Sequence, residues 1–226
     1  MHLTYYGHSC FLLETGGSSV LFDPFIRPNP LAKDVDVDNI PADFILLSHG
    51  HADHVADAEE IGKRTGADFV GMAEVVGWFG TKGLKATYGM NLGGTVKLPF
   101  GTVKMVAAAH SSSMPDGSYG GLAAGFVVEA EGKTFYFAGD TALTYDMKLI
   151  AERHRLDFAI LPIGDHYTMG IDDALTAADW TGASKIIGMH YDTFPPITID
   201  QAEARAKAQQ AGKELVLLAI GETVTL

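Results

Sequence analysis

Ser48-His49-Gly50-His51-Ala52-Asp53-His54 gathers three imidazoles and a carboxylate within six residues. It follows Phe44-Ile45-Leu46-Leu47, an apolar run with the length and composition of a buried strand. It leads into Val55-Ala56-Asp57-Ala58-Glu59-Glu60-Ile61, which reads as the start of a helix. Neutral imidazole and carboxylate are the ligands that divalent transition metals take, and His49 and His51, two apart in extended backbone, can face the same way. Asp53 and His54 lie one turn further on, where they could address a second ion. A solvated polar loop at a helix N-terminus would account for the aspartate. It would not account for three imidazoles.

Working outward, the same coincidence recurs. His110 follows Val106-Ala107-Ala108-Ala109, Asp140 follows Phe135-Tyr136-Phe137-Ala138-Gly139, and His190 follows Ile186-Ile187-Gly188-Met189. With His49, each ends an apolar run expected to be a buried strand. Ligands collect at such ends because a rigid element fixes them while the loop beyond leaves room for substrate. A lone histidine ending a strand is ordinarily a turn residue, and Gly-Asp-Thr is a common turn composition. Four such positions in one chain are not explained by turns.

The rest of the chain alternates. Leu3–Tyr6, Cys10–Glu14 and Ser19–Asp23 are short β-prone runs divided by Gly7 and Gly16-Gly17. A Pro-rich and acidic loop precedes Phe44. Helix is expected from Asp53 to about Thr65 and over Glu74–Gly80, with a short strand Asp68–Gly71 between them. From Thr95 the pattern is β-rich again, with Val103–Ala109 and a hairpin of Leu122–Glu129 and Lys133–Ala138. Helices over Tyr145–His154, Asp172–Trp180 and Asp200–Gln210 then alternate with strands Phe158–Pro162, Lys185–Met189 and a final Leu215–Ala219. Strands first, then alternating strand and helix in both halves, predict two packed sheets with helices outside. No linker or repeat divides residues 1–226, so a single domain is expected.

The formal charge of −12 argues against a nucleic-acid partner, which needs a basic surface. No apolar run approaches the ~20 residues of a membrane span, and no basic-then-apolar leader opens the chain, so no membrane partner and a cytoplasmic location are expected. Cys10 is the only cysteine, which excludes an internal disulfide and a cysteine-rich zinc cluster.

Taken in order, His49-Gly50-His51-Ala52-Asp53-His54, His110, Asp140 and His190 resemble the metallo-β-lactamase-fold hydrolases over nearly the whole chain. Tyr6-Gly7-His8-Ser9-Cys10 and Met189-His190-Tyr191-Asp192-Thr193-Phe194-Pro195 are similar to a narrower branch of small metal-dependent hydrolases. That branch is related to the ascorbate-6-phosphate lactonases and to the phospholipase D that acts on N-acyl-ethanolamine phospholipids. The resemblance implies an α/β fold, a four-layer αββα sandwich of two mixed sheets with outer helices. It implies that His49, His51 and His110 hold one ion, that Asp53, His54 and His190 hold a second, and that Asp140 bridges them. Zinc suits this set, and manganese, iron or nickel fit it too. No cysteine occupies a ligand position, so antibiotic hydrolysis is not expected.

Five neutral imidazoles and two carboxylates against two divalent ions leave such a site net positive, even with a bridging hydroxide. It should therefore attract a small substrate, anionic ones included. The hydroxide would attack a carbonyl carbon or phosphorus. The candidate catalytic residues are Asp53, His8 and His166. Asp53 is expected to serve as a ligand rather than a free base. His8 is either a turn histidine or an oxyanion donor or leaving-group acid, and His166, with Asp165 to orient it, has the same standing. His2 and His154 read as surface residues. Ser111–Gly121 is either a lid or a hairpin connection, and Trp78 and Phe79 either wall the pocket or cover the core. The absence of an obvious Lys/Arg clamp favours a small ester or lactone over a phosphoester. The alternatives are a phosphodiesterase and a catalytically silent metal-binding scaffold. A homo-oligomer is compatible with the sequence.

Overall fold

Glycines at 7, 16 and 17 divide the N-terminal apolar run into three antiparallel strands, β1 (His2–Gly7), β2 (Cys10–Thr15) and β3 (Ser18–Phe22). The computed structural model describes residues 1–226. After the Pro-rich loop, β4 (Phe44–Leu47), β5 (Asp68–Met72) and β6 (Lys85–Met90) add in parallel. The second half repeats the plan: β7 (Thr95–Leu98), β8 (Gly101–Ala107), β9 (Ala124–Ala130) and β10 (Lys133–Phe137) form an antiparallel meander. β11 (Phe158–Pro162), β12 (Lys185–Met189) and β13 (Glu214–Val216) continue it in parallel. A short β14 (Thr223–Thr225) returns to pair with β1, giving one sheet in the order 14-1-2-3-4-5-6 and a second in the order 13-12-11-10-9-8-7.

The two sheets meet through phenylalanines that point inward from both. Phe22 lies 4.9 Å from Phe137 and 6.2 Å from Phe135, and Phe11 lies 6.4 Å from Phe137, ring centre to ring centre, all three pairs tilted or edge-on. These spacings suit the aromatic quadrupole and lock the faces together. Helices cover the outer faces: α1 (Ala52–Val55), α2 (Ala58–Thr65) and α3 (Ala73–Gly80) belong to the first half, with α3 packed on β5 and β6. α4 (Lys148–Arg153), α5 (Ile171–Thr181) and α6 (Gln201–Gln210) belong to the second, with α5 against β11 and α6 against β13. This is the expected αββα sandwich of two mixed sheets.

Several boundaries differ from expectation. The helix read over Asp53–Thr65 is two helices, because Asp57 is diverted. Its N–H bonds to the Pro24 carbonyl, and its buried carboxylate accepts from Ile26 N–H and Arg27 N–H. The strand β6 was not expected at all. Lys85-Ala86-Thr87-Tyr88-Gly89-Met90 lacks apolar alternation, and as an outermost strand it buries only Met90. The last strand is β14 rather than Leu215–Ala219. β13 stops at Val216, where the Arg205 guanidinium takes the carbonyls of Leu215 and Leu217, and a turn at Gly221 sends the tail to the other sheet. No helix is long and apolar enough to cross a membrane.

Candidate metal centre

Candidate ligating side chains arrive at one edge of the sandwich from both sheets. His8 follows β1, Asp23 ends β3, and Ser48 to His54 run from β4 into α1. From the other sheet, His110 comes three residues after β8, Asp140 after β10 and His190 directly after β12. Gly139 makes the junction: at φ +60°, a Cβ there would stand 2.7 Å from both the Ala124 carbonyl and the Ser48 side chain. Only glycine lets the end of β10 lie against the His49 loop.

Two groups of candidate ligand atoms result, beside a fully buried third of Asp23, His49 and His54. His49, His51 and His110 form one, and His8, Asp53, His54 and His190 form the other, each with its ligand atoms within 4.8 Å of one another. His49 Nε2 lies 3.0 Å from His51 Nδ1. Asp140 Oδ2 stands between the groups, 3.0 Å from His190 Nε2, 3.2 Å from His54 Nε2, 3.6 Å from His110 Nε2 and 4.0 Å from His49 Nε2. His54 Nε2 and Asp140 Oδ1 are buried and have no hydrogen-bond partner. Buried polar atoms are normally satisfied, and a nitrogen lone pair beside a carboxylate is satisfied by a cation. The residues present therefore fit divalent metal ions.

A further layer sets the imidazole tautomers. Asp23, fully buried, accepts from Ser48 N–H at 2.8 Å, from the Ser48 hydroxyl at 2.6 Å and from His54 Nδ1–H at 2.8 Å. The Ser48 oxygen, its own proton so committed, accepts from His49 Nδ1–H at 3.0 Å. Both rings consequently turn Nε2 toward the centre, the orientation that metal-ligating histidines adopt. Neither Asp23 nor Ser48 was singled out from the sequence. The available signal was that Asp23, like the ligands, closes a predicted strand.

Charge follows burial. Burial, then the neighbouring His54, hold His49 well below the ordinary histidine value, and burial lowers His51 and His110 as well. Those three rings are kept in the neutral form that binds metal. Burial would raise Asp140, but His54 and His190 outweigh it and hold the carboxyl well below its usual range. Burial opposes protonation of His54, yet Asp140 and Asp23 raise it well above the ordinary value. A proton and a divalent ion thus compete for His54 Nε2.

All seven expected ligands, His49, His51, Asp53, His54, His110, Asp140 and His190, are brought together. His8 joins them, its Nε2 3.1 Å from Asp53 Oδ2 and its Nδ1 3.0 Å from Thr193 Oγ1. His166 does not join them. It is exposed, rests edge-on against Tyr167 and lines a surface hollow with Asp165, Asp172 and Lys207, and it makes no hydrogen bond to the cluster or to Asp165. The turn from Gly164 to Gly170 closes on itself and turns the ring outward. His2 is exposed, and His154 is half-buried against Glu129 at 3.1 Å.

Loop 111–121 lies beside the site and is tied down. Ser112 Oγ accepts from Gly50 N–H at 3.1 Å, and Asp116 accepts from the Trp78 indole at 2.7 Å. Trp78 therefore anchors this loop, whereas Phe79 belongs to the core.

Comparison with known proteins agrees with this geometry. Residues 2–190 match the Beta-lactamase superfamily domain. A protein of Flavobacterium johnsoniae named as a UPF0173 metal-dependent hydrolase is 50% identical over 226 residues, spanning the whole of both chains. Igni18, a metallo hydrolase from the hyperthermophilic archaeon Ignicoccus hospitalis, has a solved structure that superposes with a TM-score of 0.90 at 38% identity, covering all of this chain and 97% of that one. The isothiocyanate hydrolase from Delia radicum gut bacteria shares the fold, with a TM-score of 0.79 at 22% identity over all of this chain and 99% of that one.

Proposed function

We propose a specific hydrolytic function for this chain, which belongs to the β-lactamase superfamily and, within it, to the metal-dependent hydrolases of the UPF0173 type. The reading is a dinuclear hydrolase that cleaves a small ester or lactone. The observation that carries it is the position of Asp140 Oδ2, within 4.0 Å of imidazole nitrogens from both ligand groups. One carboxylate at the junction of two ligand sets is what a shared pair of ions requires.

In this reading His49, His51 and His110 hold the first ion, Asp53, His54 and His190 take part in holding the second, and Asp140 serves both. Zinc suits the donor set, and manganese, iron or nickel are compatible with it. Divalent ions held there acidify water toward neutral pH and polarise the group under attack. The chain's own residues do the rest. Asp23 and Ser48 keep the imidazole lone pairs aimed inward. Asp53, its side chain 30% exposed, is the one carboxylate of the cluster open to the substrate side. Burial would raise its carboxyl, but the neighbouring His8 and His54 imidazoles lower it, so it stays ionised as a ligand rather than acting as an acid.

No lysine or arginine pairs with any carboxylate of the cluster; their partners there are all histidines. A phosphodiester substrate would be better served by a cationic clamp, so the substrate class favoured is a carbonyl one. The test is steady-state turnover of the metal-loaded protein on a panel of small lactones, carboxylic esters and aryl phosphodiesters. The expected result is a lactone or ester kcat/KM at least about tenfold above any phosphodiester, abolished by His49→Ala and by Asp140→Ala. Turnover confined to phosphodiesters would replace this reading with a phosphodiesterase. Two tightly bound ions with no turnover on any class would replace it with a metal-binding scaffold.

A further inference from the structure

The turn at the end of β1 is built to deliver one side chain. Gly7 has φ +99°, and a Cβ there would stand 2.6 Å from Asn29 Nδ2; His8 follows at φ +56°. A histidine in the left-handed region is uncommon and is held there by its surroundings. The surroundings are specific. The His8 carbonyl accepts from His190 N–H at 2.8 Å and from the Tyr5 hydroxyl at 3.2 Å, and His190 itself has φ +56°. Two strained histidines, one from each sheet, are thereby clasped with ring centres 4.1 Å apart. His8 is 1% exposed, so its ring has no face or edge left for solvent.

The hydrogen bonds decide what its nitrogens do. Thr193 Oγ1 lies 3.4 Å from the Tyr191 carbonyl and donates to it. With its proton there, the hydroxyl oxygen is free to accept from His8 Nδ1, 3.0 Å away, if the ring is in its Nδ1–H tautomer. That tautomer leaves a lone pair on His8 Nε2, which faces Asp53 Oδ2 at 3.1 Å. An ionised carboxylate is also an acceptor only. Two acceptors in that contact are reconciled by a cation that both bind. His8, Asp53, His54 and His190 each present one atom, all within 4.8 Å of one another, a group that could hold one ion.

We propose that His8 is a ligand of the second ion, through Nε2, with Thr193 fixing its tautomer. The proposal rests on the two-ion reading above. It adds a ligand to Asp53, His54 and His190 at the second site, with Asp140 shared between that site and the group of His49, His51 and His110.

The first experiment needs no variant: a crystal structure of the zinc-loaded protein, with both ions located by anomalous scattering. The expected result is His8 Nε2 at about 2.1 Å from the second ion, with Nδ1 still on Thr193. Two ions bound with Nε2 beyond about 3 Å, donating to Asp53, would overturn the proposal and leave the two-ion reading intact. A chain that takes up only one ion would overturn both. Chelator competition supplies a second readout. His8→Phe should weaken one of the two zinc equivalents by about a hundredfold or more, and Thr193→Val should weaken the same equivalent by roughly 10–100-fold. The other equivalent and the melting temperature of the one-zinc form should hold. Wild-type affinity for both ions in folded His8→Phe would refute the assignment.

Discussion

At the scale of single residues, Asp23 has the clearest consequence. Its carboxylate takes three donors and thereby orients His54 directly and His49 through Ser48. Asp23→Asn presents an amide N–H to one of those donors and loses the tautomer control. Metal affinity should fall roughly 10–100-fold, as it does when a partner behind a ligand is removed, with the fold retained by circular dichroism. Unchanged affinity in a chelator titration would remove Asp23 from the metal centre. A second prediction concerns pH. His54 in the free protein is raised well above the ordinary histidine value, chiefly by Asp140 once burial is overcome, so its proton must leave when metal binds. A raised value means that the proton competes from above about pH 6.5 downward. Affinity should therefore fall over an interval that begins above the ordinary histidine value and runs down through it. A flat zinc affinity across that interval would contradict the account. That the seven expected ligands would come together was legible in the sequence because imidazoles are rare and His49, His110, Asp140 and His190 end apolar runs. Asp23, Ser48 and Thr193 were not, since a carboxylate or hydroxyl behind a ligand looks like any turn residue. His166 illustrates the converse: it follows a strand as the ligands do, but two consecutive left-handed residues, Asp165 and His166, lead its ring away.

Among the elements, the six strand ends that supply the cluster matter more than the helices. All the non-glycine residues with positive φ except Glu131 lie in turns that leave β1, β3, β11 or β12 at this edge. Backbone strain concentrates where side chains must be aimed, and the sheet interface is what supports it. Phe22, fully buried between Phe135 and Phe137, is the aromatic nearest in sequence to Asp23. Phe22→Ala should destabilise the protein by about 3–5 kcal/mol and lower metal affinity along with it. A denaturant titration showing a loss under ~1 kcal/mol would mean the two sheets are not locked through that residue. Most elements could be read from apolar runs and glycine punctuation. β6 and β14 could not, because outermost strands need only one paired edge and little apolar surface. The split between α1 and α2 was hidden because it depends on Asp57 meeting a loop some thirty residues earlier, and local periodicity carries no trace of that.

For the molecule as a whole, each half contributes a meander followed by parallel strands, and the site lies where the two halves meet. Neither sheet alone carries a complete ligand set: His49, His51, Asp53 and His54 come from the first, and His110, Asp140 and His190 from the second. Metal binding should therefore stabilise the sandwich as a unit, and in the proposed two-ion reading Asp140 would serve both ions. The most direct measurement is elemental mass spectrometry on protein purified without chelator and then loaded with zinc. Two equivalents per chain are predicted, with both falling below one in Asp140→Ala. A single equivalent that never rises on loading, or two equivalents that survive the loss of Asp140, would contradict a shared dinuclear centre.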